Sequence, residues 1–131
     1  MQWNSKELKI KFCDTHKDLD FYKLSLELVE DIYKLTKSFA ASENFGLTYQ
    51  LRRAAVSLPS DIAEGVSWGS TKDFIRFLNI ASGSLAEIET QLVIAELIGY
   101  IIFNDELKSK ITAIRKMLNR LKQSLNKKLR K

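Results

Sequence analysis

Apolar residues recur along this chain at spacings of three and four, in four stretches separated by glycine-bearing breaks, the period of amphipathic helices. The first stretch, about residues 19–39, aligns Phe21, Leu24, Leu28, Ile32, Leu35 and Phe39 on one face, with Glu27, Glu30, Asp31 and Lys34 on the wetted side. Tyr22, Leu26, Val29 and Tyr33 form a second stripe about 100° round from the first, so the apolar arc is wider than one core demands. The second stretch, about 47–64, places Leu47, Leu51, Ala54, Ala55, Leu58 and Ile62 together, with Thr48 expected as its cap. Pro59 falls inside it and predicts a kink rather than a break, because the apolar phase continues from Leu58 to Ile62.

The third stretch opens on Ser70-Thr71-Lys72-Asp73, a capping-box variant with aspartate in place of glutamate, and runs to Gly99. Phe74, Leu78, Ala81, Leu85, Ile88, Leu92 and Ala95 make its core face, while Ile75, Ile80, Val93, Ile94, Leu97 and Ile98 lie elsewhere around it. The small run Ala81-Ser82-Gly83-Ser84 predicts that a neighbouring backbone approaches closely there. The fourth stretch begins with Asn104-Asp105-Glu106, a cap followed by acids suited to the positive end of a helix dipole. It continues as a strict repeat of Leu107, Ile111, Ile114, Leu118, Leu121 and Leu125.

Four such helices joined by short loops predict an all-α fold, an up-and-down antiparallel four-helix bundle over residues 19–131 preceded by an N-terminal arm over 1–18. Large apolar patches are rarely left exposed on monomers, so the surplus faces predict a homo-oligomer. Tyr22, Leu26, Val29, Tyr33, Trp68, Ile80 and Ile94 are the candidate interface residues.

The chain has 131 residues and a net charge of +5, but the charge is unevenly spread. Residues 104–131 carry ten Lys and Arg against two acids, net +8, whereas residues 19–103 carry seven against eleven, net −4. A basic final helix suits anionic partners, nucleic acid among them; it also suits its own dipole, which favours Lys127, Lys128, Arg130 and Lys131 at the C-terminal end. A single cysteine, Cys13, leaves no intrachain disulfide and fits a reducing cytoplasm. The N-terminal residues lack the apolar run of a signal peptide, and Leu92 to Phe103, the greasiest region, is too short to span a membrane.

Catalytic chemistry finds little to work with. Cys13 and His16 stand three apart in the arm, weak geometry for a nucleophile and its base. Di-iron bundles use Glu-x-x-His on their helices, and the four predicted segments contain no histidine. Asp61 and Glu64 hold no metal cage by themselves and are expected to pair with arginines such as Arg53. Gly65 to Gly69 lacks both the spacing and the lysine of a phosphate loop. A non-catalytic protein without cofactor or metal is expected.

The run from Tyr49 to Gly65, with Gln50-Leu-Arg-Arg-Ala before Ser57-Leu-Pro59 and Ile62-Ala-Glu-Gly65 after it, closely resembles the bacterial 23S ribosomal RNA intervening-sequence proteins. Lys72-Asp-Phe74, Phe77-Leu78 and Ala81 to Glu87 extend the likeness over about residues 19–102. The resemblance implies a homopentamer of four-helix bundles, some members being encoded within insertions in ribosomal RNA genes. A related branch, the accessory proteins of diversity-generating retroelements, is similar in fold and binds nucleic acid and a reverse transcriptase through a positive surface. The motif places Arg52, Arg53, Pro59, Ile62, Ala63, Glu64 and Gly65. Two departures stand out. Asp61 replaces the usual asparagine, and Trp68-Gly69 occupies positions where the family tends to carry arginine, which removes positive charge from the turn between the second and third helices.

Two functions are compatible with these residues. One is a nucleic-acid-associated oligomer, binding RNA or DNA, whose Arg52, Arg53, Lys72, Arg76, Arg115, Lys116, Arg120 and Lys122 contact phosphates, with an affinity that falls steeply with salt. The other is a protein-interaction scaffold that holds a partner, such as a reverse transcriptase, through its assembled rim or through the arm with Trp3 and Phe12.

Overall fold

The computed structural model describes residues 16–130, which form four α-helices and one 3-10 turn, with no strand among the described residues. Helix α1 spans His16–Thr36, the 3-10 turn Ala41–Glu43, α2 Leu47–Ser67, α3 Thr71–Leu97 and α4 Asp105–Leu129. Each helix lies against two neighbours, α1 on α2 and α4, and α3 on α2 and α4, which is the square of an up-and-down bundle. The all-α four-helix fold is therefore as the apolar period predicts.

Cross-helix contacts give the antiparallel register. Arg53 meets Glu87 between α2 and α3, Arg115 meets Glu89 and Lys122 meets Ser82 between α3 and α4, and Lys110 meets Asp31 between α4 and α1. The loops after α1 and α3 consequently share one end of the bundle, where the Tyr100 hydroxyl donates to Glu43 at 3.0 Å and the Tyr100 and Phe39 rings lie 5.1 Å apart. The turn between α2 and α3 and the C-terminus of α4 share the other end.

The core sits where the four apolar stripes converge. Leu28, Ile32, Leu51, Leu58, Ile62, Leu78, Leu85, Ile88, Leu92, Ile111 and Ile114 are fully buried. At roughly 1.5–3 kcal/mol for each large aliphatic side chain removed from water, these residues outweigh the surface ion pairs. Leu24, Leu35, Leu47 and Leu121 of the expected core faces are only half-buried, and in α3 one place changes hands: Phe77 is buried while Phe74 is half-buried, because Phe77 turns into the close contact between α2 and α3.

Capping follows the sequence at two helices and departs from it at a third. The Ser70 hydroxyl accepts from Asp73 N at 3.1 Å and donates to the Asp73 carboxylate at 2.7 Å, and Asn104 Oδ1 accepts from Leu107 N at 2.9 Å. Thr48 does not cap α2. It lies inside the helix with its hydroxyl buried and unpartnered, and Glu43 of the 3-10 turn instead accepts from Leu47 N at 3.3 Å. Pro59 is buried within an unbroken α2, so the helix accommodates a proline that removes the donor for the Ala55 carbonyl.

Two further expectations are corrected. His16 opens α1, so a described helix does contain a histidine; Cys13 and most of the arm expected over 1–18 lie outside the described residues. Gly83 faces outward with nothing among the described residues within 4 Å of where a Cβ would stand, so no described backbone packs on it. The close approach is at Gly65 instead, where an added Cβ would lie 2.9 Å from Phe77 Cβ and 3.0 Å from Phe74 Cδ1.

Candidate nucleic-acid interface

The eight basic residues singled out by sequence separate into two groups once the helices are packed. Arg52 donates to the Thr36 hydroxyl at 2.9 Å and lays its guanidinium 4.6 Å from the Tyr33 ring centroid, closing the groove between α1 and α2. Arg53 pairs with Glu87 at 3.0 Å, not with Asp61 or Glu64, because a residue eight places along the same helix lies more than two turns away while α3 lies alongside. Arg76 reaches Asp73 at 3.6 Å and sits over the Phe77 ring, and Arg115 pairs with Glu89 at 2.7 Å. Lys122 donates to the Ser82 hydroxyl at 3.0 Å. These five side chains tie helix to helix or hold the local surface.

Lys72, Lys116 and Arg120 are different. All three are exposed and have no ion-pair partner among the described residues. Lys116 and Arg120 belong to an outward stripe on α4, Ser109, Thr112, Lys116, Arg120, Gln123, Lys127 and Arg130, whose spacings of three and four place it opposite the buried Leu107, Ile111, Ile114, Leu118 and Leu125. From Lys116 to Arg130 it extends roughly 21 Å at 1.5 Å per residue. Lys127 and Arg130, absent from the sequence-derived set, share the same face and are likewise exposed without an acidic partner among the described residues. Their position in the last turns of α4, where cations suit the helix dipole, hid them behind a structural explanation. A shallow depression of about 470 Å³ between Asp105, Lys108, Thr112 and Lys116 lies higher on α4 and is open to solvent.

The apolar interface candidates are also split. Tyr22, Leu26 and Val29 are half-buried within the chain, and Tyr33 is partly roofed by Arg52. Ile80 and Ile94 are exposed, and with Gly83 and Ile98 they form an outward stripe along α3. Trp68 is 57% exposed at the turn after α2. The most exposed large apolar side chains, Phe45, Leu97 and Ile102, cluster instead at the loop end of the bundle.

The α2–α3 pair carries the helix-interior proline, the close approach at Gly65 and the Ser70 cap, and the sequence from residue 17 to residue 120 matches the model of the family described as 23S rRNA-intervening sequence protein. The chain belongs to that family. No curated protein matches it. The family match ends at residue 120, so Lys122, Lys127, Lys128 and Arg130 lie beyond it.

Within the family motif, Asp61 is the residue whose environment is least comfortable. One of its carboxylate oxygens is buried without a hydrogen-bond partner. Desolvation, and then the neighbouring charge of Glu64, raise its pKa above the ordinary aspartate range, while the Ser84 hydroxyl pulls the other way. Gly65, four residues on, has a packing role: any side chain there meets the β-carbon of Phe77. Among the described residues, no group of three or more His, Cys, Asp and Glu side chains is placed to hold a metal ion, and no described helix is long and apolar enough to cross a membrane.

Proposed function

We propose that this intervening-sequence family member is a non-catalytic, self-associating bundle that binds nucleic acid through the outward face of α4. The observation that carries the reading is the unneutralised row Lys116, Arg120, Lys127 and Arg130, set on the side of α4 away from the core, while the arginines of α2 and α3 are occupied within the chain. Phosphate binding releases counterions in proportion to the charges neutralised, so free cations count and paired ones count less. The outward stripe of Ile80, Gly83, Ile94 and Ile98 on α3, interrupted at mid-length by the exposed Glu87, supports self-association, since its isoleucines stand exposed among the described residues. That stripe lies on α3 and the basic row on α4, so a homo-oligomer built through α3, the homopentamer of the resemblance included, leaves the cations outside.

The test is a fluorescence-anisotropy titration with structured RNA and with duplex DNA across a salt series. Binding is expected to weaken steeply with salt, and Lys116→Glu with Arg120→Glu is expected to reduce both affinity and the salt slope, by roughly two contacts. Arg53→Glu, which breaks only an internal pair, is expected to change the slope little. No retention of either probe at about 50 mM salt rules the reading out. A protein scaffold is the second reading, and the exposed Phe45, Leu97 and Ile102 at the loop end favour it.

A further inference from the structure

Trp68 is an aromatic residue that neither the core nor the family motif accounts for. It is 57% exposed, yet its orientation is restrained, because its ring lies 6.3 Å from that of the buried Phe77, at an interplanar angle of 29°. The Arg76 guanidinium rests 4.5 Å from the centroid of the same Phe77 ring, and Asp73 holds Arg76 from the other side at 3.6 Å. Phe77 is itself fixed by the close approach of α2 at Gly65. The turn at Gly69, with φ of +78°, carries the chain from Trp68 into the Ser70 cap. The indole is thus more than half exposed while packed on a fixed ring, with its rotamer freedom already reduced.

The positive charge of the bundle converges on the same end. Glu89 with Arg115 and Ser82 with Lys122 define the antiparallel register of α3 and α4. Continued by the same number of residues along each helix, that register sets residues 127–130 level with 74–77, at the same end of the bundle as Trp68. Lys72 is exposed between them on the first turn of α3. The path from the indole over Lys72 to Arg130 crosses two helix spacings, each about 8–10 Å.

We infer that Trp68 is a stacking platform for an unpaired base, and that single-stranded nucleic acid is the ligand of the basic face, its phosphates passing Lys72 and running on to Lys127 and Arg130. An indole cannot stack on a base whose faces are covered within a duplex, whereas every unpaired base offers a π-face to an aromatic side chain beside a cationic groove. The inference rests on the nucleic-acid reading above and narrows it.

Oligo(U) RNA and oligo(dT) DNA of about 12 nucleotides, and a duplex of the same length, serve as probes. They are titrated against the full chain carrying Trp3→Phe, so that Trp68 alone reports fluorescence. Quenching of Trp68 by both single strands is expected. Trp68→Ala is expected to weaken single-strand binding by roughly 5- to 150-fold while duplex binding changes little, and Trp68→Phe to retain most of it. Trp68→Ala binding single strands as tightly as the parent overturns the stacking role and leaves the basic-surface reading standing. A changed sedimentation coefficient for Trp68→Ala, with unchanged helix content, assigns the indole to a subunit boundary and overturns it as well. Absence of binding to all three probes at about 50 mM salt removes this inference and the nucleic-acid reading together.

Discussion

The same substitution, glycine to alanine, is expected to have opposite signs at two helix-interior positions of this bundle. In a solvated helix interior, alanine is favoured over glycine by about 1 kcal/mol, because glycine loses more backbone freedom on folding. Gly83 meets that condition, being exposed with nothing within 4 Å of the new methyl, so Gly83→Ala is expected to stabilise the fold by about 1 kcal/mol. At Gly65 the same gain is opposed by overpacking. The new Cβ would stand 3.0 Å from Phe74 Cδ1, the end of a ring that can rotate away, and 2.9 Å from Phe77 Cβ, which moves only with the α3 backbone. Forcing an added methyl into a packed contact costs about 1–3 kcal/mol, so the net effect is a destabilisation of about 1 kcal/mol. For a chain of this size, 1 kcal/mol corresponds to roughly 3–5 °C in Tm. Urea unfolding followed by circular dichroism at fixed protein concentration separates the two variants by about 2 kcal/mol if both terms are right. Equal stabilities, or Gly65→Ala more stable than the parent, would refute the close approach of α2 and α3 as the reason for glycine there. A loss at Gly83→Ala that grows with protein concentration reports a second subunit on the α3 stripe.

Other expectations concern charge and caps. Asp61 binds its proton more tightly in the folded than in the unfolded chain, so the folded state holds more protons between the two pKa values. Stability is therefore expected to fall as pH rises through the raised Asp61 pKa, and Asp61→Asn to remove that component; urea titrations of both proteins from acid to neutral pH test this, and an unchanged difference at every pH contradicts it. Lys110, whose side chain is only 19% exposed, bridges Asp31 at 2.6 Å and Glu27 at 3.9 Å, so Lys110→Ala is expected to cost more than Arg53→Ala, which opens a pair whose side chains are 46% and 48% exposed. Chemical unfolding of the two variants reverses that order if exposure does not govern the pair energies. Ser70→Ala and Asn104→Ala each remove a cap with good geometry and are expected to cost about 1 kcal/mol, read as a lowered urea midpoint without change in m.

Much of the fold was legible because helices announce themselves locally. The buried faces of α1 to α4 follow the three-four spacing nearly residue for residue, Ser70 and Asn104 cap where the sequence places them, and α2 continues through Pro59 because the apolar phase does. The site was less legible. From sequence Arg53 read as a partner of Asp61 and Glu64 on its own helix and Arg115 as a free cation, since their partners Glu87 and Glu89 lie on α3, 34 and 26 residues away. Thr48 read as a cap, but the 3-10 turn brings Glu43 to the helix start first. Trp68 read from sequence as a subunit contact, and only the tertiary structure sets it against Phe77 while leaving it 57% exposed.

The sequence by itself determined the four helices, their core faces, the basic last segment and the family, because each depends on residue type at short, regular separations. The tertiary structure alone decided which positive charges remain available to a partner, which glycine is required by packing and where the aromatic surface meets the cations. Those depend on which faces of different helices are brought together, and the antiparallel register of the bundle sets that for residues that no local period connects.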